Sequence, residues 1–323
     1  MTATAAPYPD SARPTGLPSA EASPKAPPPG LAVAAPLPDV IPVRKRRGRV
    51  WTYMRRNPTI VVGGLLLLIV FLMAVLAPWL GTVDPTALAP AKRTRVPSAQ
   101  YWFGTDMLGR DVYSRVVYGA RVSLLVGFSV AFLASIAGLA VGLVSGMVRW
   151  LDGIVMRVVD GMMSIPPILL AVALMALTRG SVQNVIVAIT IAEIPRVARL
   201  VRGVVLSLRE QPYVEAAVTT GTRMPAIIWR HILPNTLAPM TVQATYICAS
   251  AMITEAILSF IGAGVPPSTP SWGNIMAEGR ALWQVKFYII LFPAIFLSMT
   301  VLAVNLVGDG LRDALDPRMA KDV

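Results

Sequence analysis

The sequence predicts an all-α integral membrane fold of six spans, with a helix–turn–helix on the cytoplasmic face. Three observations predict it. Hydrophobic residues make up 55% of the chain and charged residues only 14%, where a soluble domain carries about 25% charged. The stretches 60–80, 122–148 and 287–307 hold no charged residue. About 20 such residues cross a bilayer, because in lipid every backbone amide must be satisfied within its own helix. Finally, Arg44, Lys45, Arg46, Arg47, Arg49, Arg55 and Arg56 abut the first apolar run, which by the positive-inside rule holds the N-terminus in the cytoplasm.

The net charge of +12 fits the same picture, since basic residues beside spans meet anionic headgroups. Cys248 is the single cysteine, so an intramolecular disulfide and a multi-cysteine metal site are excluded. His231 is the single histidine, which leaves little material for a metal centre or a histidine-based catalytic site.

Taken in order, residues 1–43 are rich in Pro, Ala and Ser, with Pro27-Pro28-Pro29 at their centre, and are expected to form a disordered cytoplasmic tail. They are no signal peptide, because the basic cluster follows this tail instead of preceding a short apolar run. Residues 44–59 form a basic juxtamembrane segment, 60–307 the membrane domain, and 308–323 a cytoplasmic C-terminal segment. The first span starts at Ile60. The loop 81–120, placed outside, carries Lys92, Arg93, Arg95, Arg110 and Arg115 against the charge rule. It is expected to fold, with Asp111 and Arg115 paired at i,i+4. In the second span Gly138, Gly142 and Gly146 recur every four residues, a smooth face for close helix packing. The third span, 161–178, holds Pro166-Pro167, which should kink or break it. The fourth begins at Val182 and is expected to continue past Glu193 and Pro195 into Arg196, Arg199 and Arg202. The fifth, 233–263, contains Glu255, and the sixth is 287–307.

The segment 209–231, between the fourth and fifth spans, is the most informative. A short helix over 213–220 should follow Pro212, Gly221 can supply the positive-φ turn that ends it, and a second short helix should run over 223–230. Ala216 and Ala217 would offer a flat surface that a partner's groove could accept; a mere connecting loop is the plainer alternative.

Glu215-Ala216-Ala217, Gly221, Arg223 and His231-Ile232-Leu233-Pro234-Asn235 together resemble the signature of ABC importer permeases. The histidine-bearing form is typical of the dipeptide/oligopeptide branch. Phe103-Gly104-Thr105-Asp106, Leu108-Gly109-Arg110-Asp111, Glu255-Ala256-Ile257-Leu258-Ser259-Phe260-Ile261-Gly262, Ser271-Trp272-Gly273 and Gly308-Asp309-Gly310-Leu311-Arg312-Asp313 are similar to further segments of that branch. The resemblance covers about residues 47–319 and is strongest to the C-type permease subunit of dipeptide importers. It implies a type I ABC importer permease fold in a bacterial cytoplasmic (inner) membrane. It also implies that Glu215, Ala216, Ala217, Gly221, Arg223 and His231 belong to a coupling helix inserted into an ATPase cleft. The implied partners are a paralogous permease, two ABC ATPase subunits or domains, an extracytoplasmic substrate-binding protein and the lipid bilayer. Related permeases carry dipeptides, longer peptides, glutathione or nickel chelates.

No Gly-x-x-x-x-Gly-Lys-Ser/Thr run occurs, so ATP and Mg are expected on the partner ATPases, with no cofactor and no enzymatic activity in this chain. Two carboxylates lie within apolar stretches, where an ionised group costs about 2.5–3.5 kcal/mol. Glu193 is expected to pair with Arg196 or Arg199. Glu255 is expected near the outer end of its span, either lining the translocation path or capped and paired at the outer surface. A secondary transporter would call for inverted repeats, and none is evident. An intramembrane serine hydrolase around Ser145 lacks the glycine two residues earlier, and its only histidine falls in the cytoplasmic loop.

Overall fold

The computed structural model describes residues 57–315, so the expectations for the tail, most of the basic segment and residues 316–323 lie outside the described residues. The described residues are mainly helical: α1 (Pro58–Val75), α2 (Val112–Met147), α3 (Arg149–Met163), α4 (Pro167–Ala176), α5 (Val182–Arg209), α6 (Pro212–Thr219), α7 (Met224–Ile227), α8 (Leu233–Phe260), α9 (Trp272–Gly279) and α10 (Tyr288–Leu315). Among the described residues, extended pairing is limited to one bridge between Thr105 and Asp111.

Among the described residues, four helices are long and apolar enough to cross a membrane: Pro58–Val75, Val112–Met147, Met224–Phe260 and Tyr288–Leu315. The third span expected from sequence, 161–178, covers the end of α3 and all of α4, two helices that meet at 86°. Proline explains the break. Neither Pro166 nor Pro167 has an N–H to donate, and Pro166 sits at φ −52°, ψ 131°, the extended conformation that a following proline imposes. The fourth candidate, α5, is one helix through Glu193 and Pro195 to Arg209. Its 28 residues reach roughly 42 Å at 1.5 Å per residue, but its charges interrupt the apolar run.

The glycine row of α2 meets a valine row on α5. A Cβ added at Gly138 would strike Val197, one at Gly142 would lie 2.6 Å from Val201 Cβ, and one at Gly146 would lie 2.6 Å from Val205 Cγ1. All three valines are fully buried. Four-residue spacing on both helices keeps the rows in register over two turns. On the other side, α10 crosses α1 and α8, with Gly63 against Leu306 and Gly308 against Thr245.

The segment between α1 and α2 does fold, though by another pairing than the spacing suggests. Asp111 is the N-cap of α2, accepting from Ser114 N at 2.8 Å and Ser114 Oγ at 2.5 Å. Arg115 instead turns inward, where it donates to Asp106 Oδ2 at 2.7 Å and pairs with Glu278 of α9. Arg110 joins the same two acids. An N-cap carboxylate lies ahead of the first helical turn, and Asp111 Oδ2 is taken by the Ser114 donors, so the i,i+4 geometry expected of two helical residues does not arise. The loop is further fixed by Phe103 stacked on Phe292, 3.9 Å between ring centroids, and by Tyr288 Oη donating to Arg95 O at 2.8 Å.

Candidate functional site

The loop between α5 and α8 forms a knob whose shape follows from a few residues. Pro212 opens α6, where its missing N–H is no loss. The helix ends when Thr222 N donates to Ala217 O and Gly221 N to Val218 O, each at 3.0 Å, with Gly221 at φ 78°. This paired closure places a glycine at the left-handed position, where a side chain is disfavoured. Arg223 then turns extended and α7 begins.

Sequence suggested a separate second helix over 223–230; the structure corrects this. Helix α7 passes through a π turn, Ile228–Ile232, directly into α8. Pro234 is the physical reason: it has no N–H, and its ring crowds the carbonyl four residues back, which the wider turn relieves. Asn235 Nδ2 takes up one carbonyl there, donating to His231 O at 2.6 Å.

Val214, Ile227 and Ile232 anchor the knob in the core. Glu215, Ala216, Gly221 and Arg223 are exposed, while Ala217 and His231 are half-buried. The His231 ring lies 6.0 Å from that of Tyr213, tying the start of α6 to the π turn. The structure therefore gathers the six loop residues singled out from sequence. It also exposes Tyr213, Val218, Met224 and Trp229 beside them, an apolar surface that the motif alone did not flag.

Behind Glu215 lies a polar cavity of about 420 Å³, lined among others by Ser145, Arg149, Asp152, Arg209 and Glu210. Asp152 accepts from Arg202 at 2.5 and 2.6 Å and from Ser145 Oγ at 2.5 Å. Asp160 pairs with Arg199, so two ion pairs clamp α3 to α5. Sequence assigned Arg199 to the surroundings of Glu193; the structure gives Glu193 to Arg196, 3.2 Å away. Partners some 40–50 residues apart leave no periodic signal that would have exposed this clamp.

Glu255 is not part of the knob. It lies near the far end of α8, fully buried, accepting from Ser259 Oγ at 2.8 Å and facing Ser123 Oγ at 3.5 Å. Neither an open path nor a surface pair is what surrounds it in this chain: serine hydroxyls on α2 and α8 enclose the carboxyl, and no basic side chain pairs with it among the described residues.

Residues 134–321 match the family described as binding-protein-dependent transport system inner membrane component, and residues 46–97 match the N-terminal TM domain of oligopeptide transport permease C. The chain is 53% identical over 264 residues to a probable peptide ABC transporter permease protein of Sinorhizobium fredii, covering 82% of this chain and 90% of that one. It is 42% identical to a dipeptide transport system permease protein of Alkalihalophilus pseudofirmus, over 82% of this chain and 88% of the relative. It is 40% identical to a glutathione transport system permease protein of Salmonella typhimurium, over 83% and 89%. Among solved structures, the inward-facing MetNI methionine ABC transporter matches 62% of this chain and 96% of its own with TM-score 0.52 and 24% identity, a likeness of fold. The apolar helices, the glycine-closed loop and these matches lead to one conclusion: the chain belongs to the binding-protein-dependent transport system inner membrane component family, as an integral membrane permease subunit of the ABC transporter class.

Proposed function

We propose that this permease forms half of the passage of a peptide importer and that the 209–231 knob transmits the motion of separate ATPase subunits to it. In this reading the bent pair α3–α4 and the helix α5 are the third and fourth of six spans, with both termini cytoplasmic in a bacterial inner membrane. A paralogous permease supplies the other half, two ABC ATPase subunits bind ATP and Mg, and an extracytoplasmic binding protein delivers substrate. Di- or oligopeptides are the favoured cargo, since relatives named for peptide, dipeptide and glutathione transport align with 82–83% of this chain.

The observation that carries the coupling role is the exposed knob, locked by Gly221 and rooted in a helix that continues without interruption into α8. No atom lies within 4 Å of a Cβ built at Gly221, yet its φ is 78°. A β-branched residue there suffers backbone strain of about 1–3 kcal/mol without a clash, so only the local shape should change. Gly221→Val and Glu215→Lys, reconstituted with partner subunits, are expected to insert normally but to lose peptide uptake and substrate-stimulated ATP hydrolysis. Gly221→Asn, which tolerates the left-handed region, is expected to retain most of both. Full import by Gly221→Val and Glu215→Lys would make the knob a passive linker.

A further inference from the structure

We infer that the outward face between α1 and α2 is a binding site for one membrane phospholipid, its phosphate held by Arg121 and an acyl chain laid in the groove beneath. The groove measures about 520 Å³. Its floor is Ala74 and Leu124, and its walls are Phe71, Leu125 and Phe128, apart from Ser129 wholly apolar below the guanidinium.

Arg121 is the unusual element. It is exposed on a helix whose neighbouring face is otherwise apolar. Its Nε donates to Ala74 O at 2.6 Å and Nη2 to Val75 O at 3.2 Å, and its guanidinium lies 5.0 Å from the Tyr118 ring centroid. These contacts fix its position but leave its charge unneutralised, since none of the ion pairs among the described residues includes it. A guanidinium has five donor hydrogens, so those two bonds leave donors for an anion, and a planar fork suits phosphate oxygens.

Depth identifies the anion. The 18 residues of α1 rise roughly 27 Å, close to the ~30 Å thickness of a hydrocarbon core. The carbonyls of Ala74 and Val75, at its last turn, therefore sit at the headgroup boundary, and Trp79 just beyond is 76% exposed, as an interfacial anchor would be. From Arg121, Leu125 and Phe128 follow along α2 toward the membrane interior over about 10 Å. A cation at headgroup depth with an apolar channel running inward matches a phosphodiester carrying an acyl chain, and not a soluble anion. The site needs only that α1 spans; the outer leaflet as its location rests on the orientation proposed above, which the following readouts do not use.

The test is native mass spectrometry of the full chain released from nanodiscs of phosphatidylethanolamine and phosphatidylglycerol. One retained phospholipid is expected. Arg121→Gln should reduce retention roughly tenfold, the order expected for losing a hydrogen bond to a charged group. Because that change also touches the end of α1, Ser129→Trp provides a second arm: it fills the groove while leaving Arg121 and both carbonyl bonds in place, and the same loss is expected. A photo-crosslinking residue at Phe128 in intact cells should capture lipid. Retention by either variant equal to that of the parent, or capture of a second permease chain at Phe128, would overturn the assignment.

Discussion

Asp106 and Arg115 are both fully enclosed, and with Arg110 and Glu278 they make a cluster of two cations and two anions. Removing one member of such a set leaves an uncompensated buried charge, at about 3–5 kcal/mol. Asp106→Asn is expected to lower the thermal midpoint of the detergent-solubilised chain sharply, whereas Asp106→Leu combined with Arg115→Met is expected to be milder than the single change. A single variant as stable as the parent would show that the cluster contributes no fixed link between loop, α2 and α9. At this scale the sequence was only partly legible. Asp111 and Arg115 stand four apart and suggested a pair, but the partners of Arg115 are Asp106 and Glu278, the latter 163 residues away. Glu255 was likewise visible as an acid in an apolar stretch, but it was expected on the path or at the outer surface, not enclosed by serines.

At the scale of elements, periodic information was legible where one helix carries it. The glycines at 138, 142 and 146 announced a smooth face, the proline pair a break, and Gly221 a left-handed turn. What no single helix could reveal was which neighbour fills that face, because the valine row of α5 is itself an unremarkable helical repeat. The packing leads to a clear expectation. Gly142→Leu drives a side chain into Val201 and the Ala198 carbonyl, and overpacking of this kind costs about 1–3 kcal/mol. Gly153→Leu meets nothing within 4 Å. Thermal unfolding of the two full-length variants should therefore show a lowered midpoint for the first and an unchanged one for the second; equal midpoints would mean that α2 and α5 are not in contact over these turns.

For the whole molecule, the three long uncharged runs revealed three crossings plainly, since they lie in Pro58–Val75, Val112–Met147 and Tyr288–Leu315, while Met224–Phe260, which carries Arg230 and Glu255, was legible only as a long apolar stretch. The bent α3–α4 pair and the charged α5 are harder to place because their polar residues serve partners inside the bundle, as Asp152 does with Arg202. Orientation is accessible to labelling. In a Cys248→Ser background, single cysteines at Gly153 and Thr222 are expected to react only from the cytoplasmic side, and those at Ser98 and Ser268 only from outside. Reaction at Thr222 from outside intact cells would reverse the orientation and remove the knob from the reach of any cytoplasmic ATPase.

The unbroken run Met224–Phe260 has a mechanical meaning. Its 37 residues make a rod of roughly 55 Å, nearly twice the ~30 Å hydrocarbon thickness. On the coupling role proposed above, a sideways push on Met224 or Trp229 is expected to be carried along this helix toward its opposite end, where Glu255, Leu258 and Ser259 are buried among neighbouring helices. Interruption by a flexible hinge would absorb such a push; a π turn, which keeps the backbone hydrogen-bonded, lets it through.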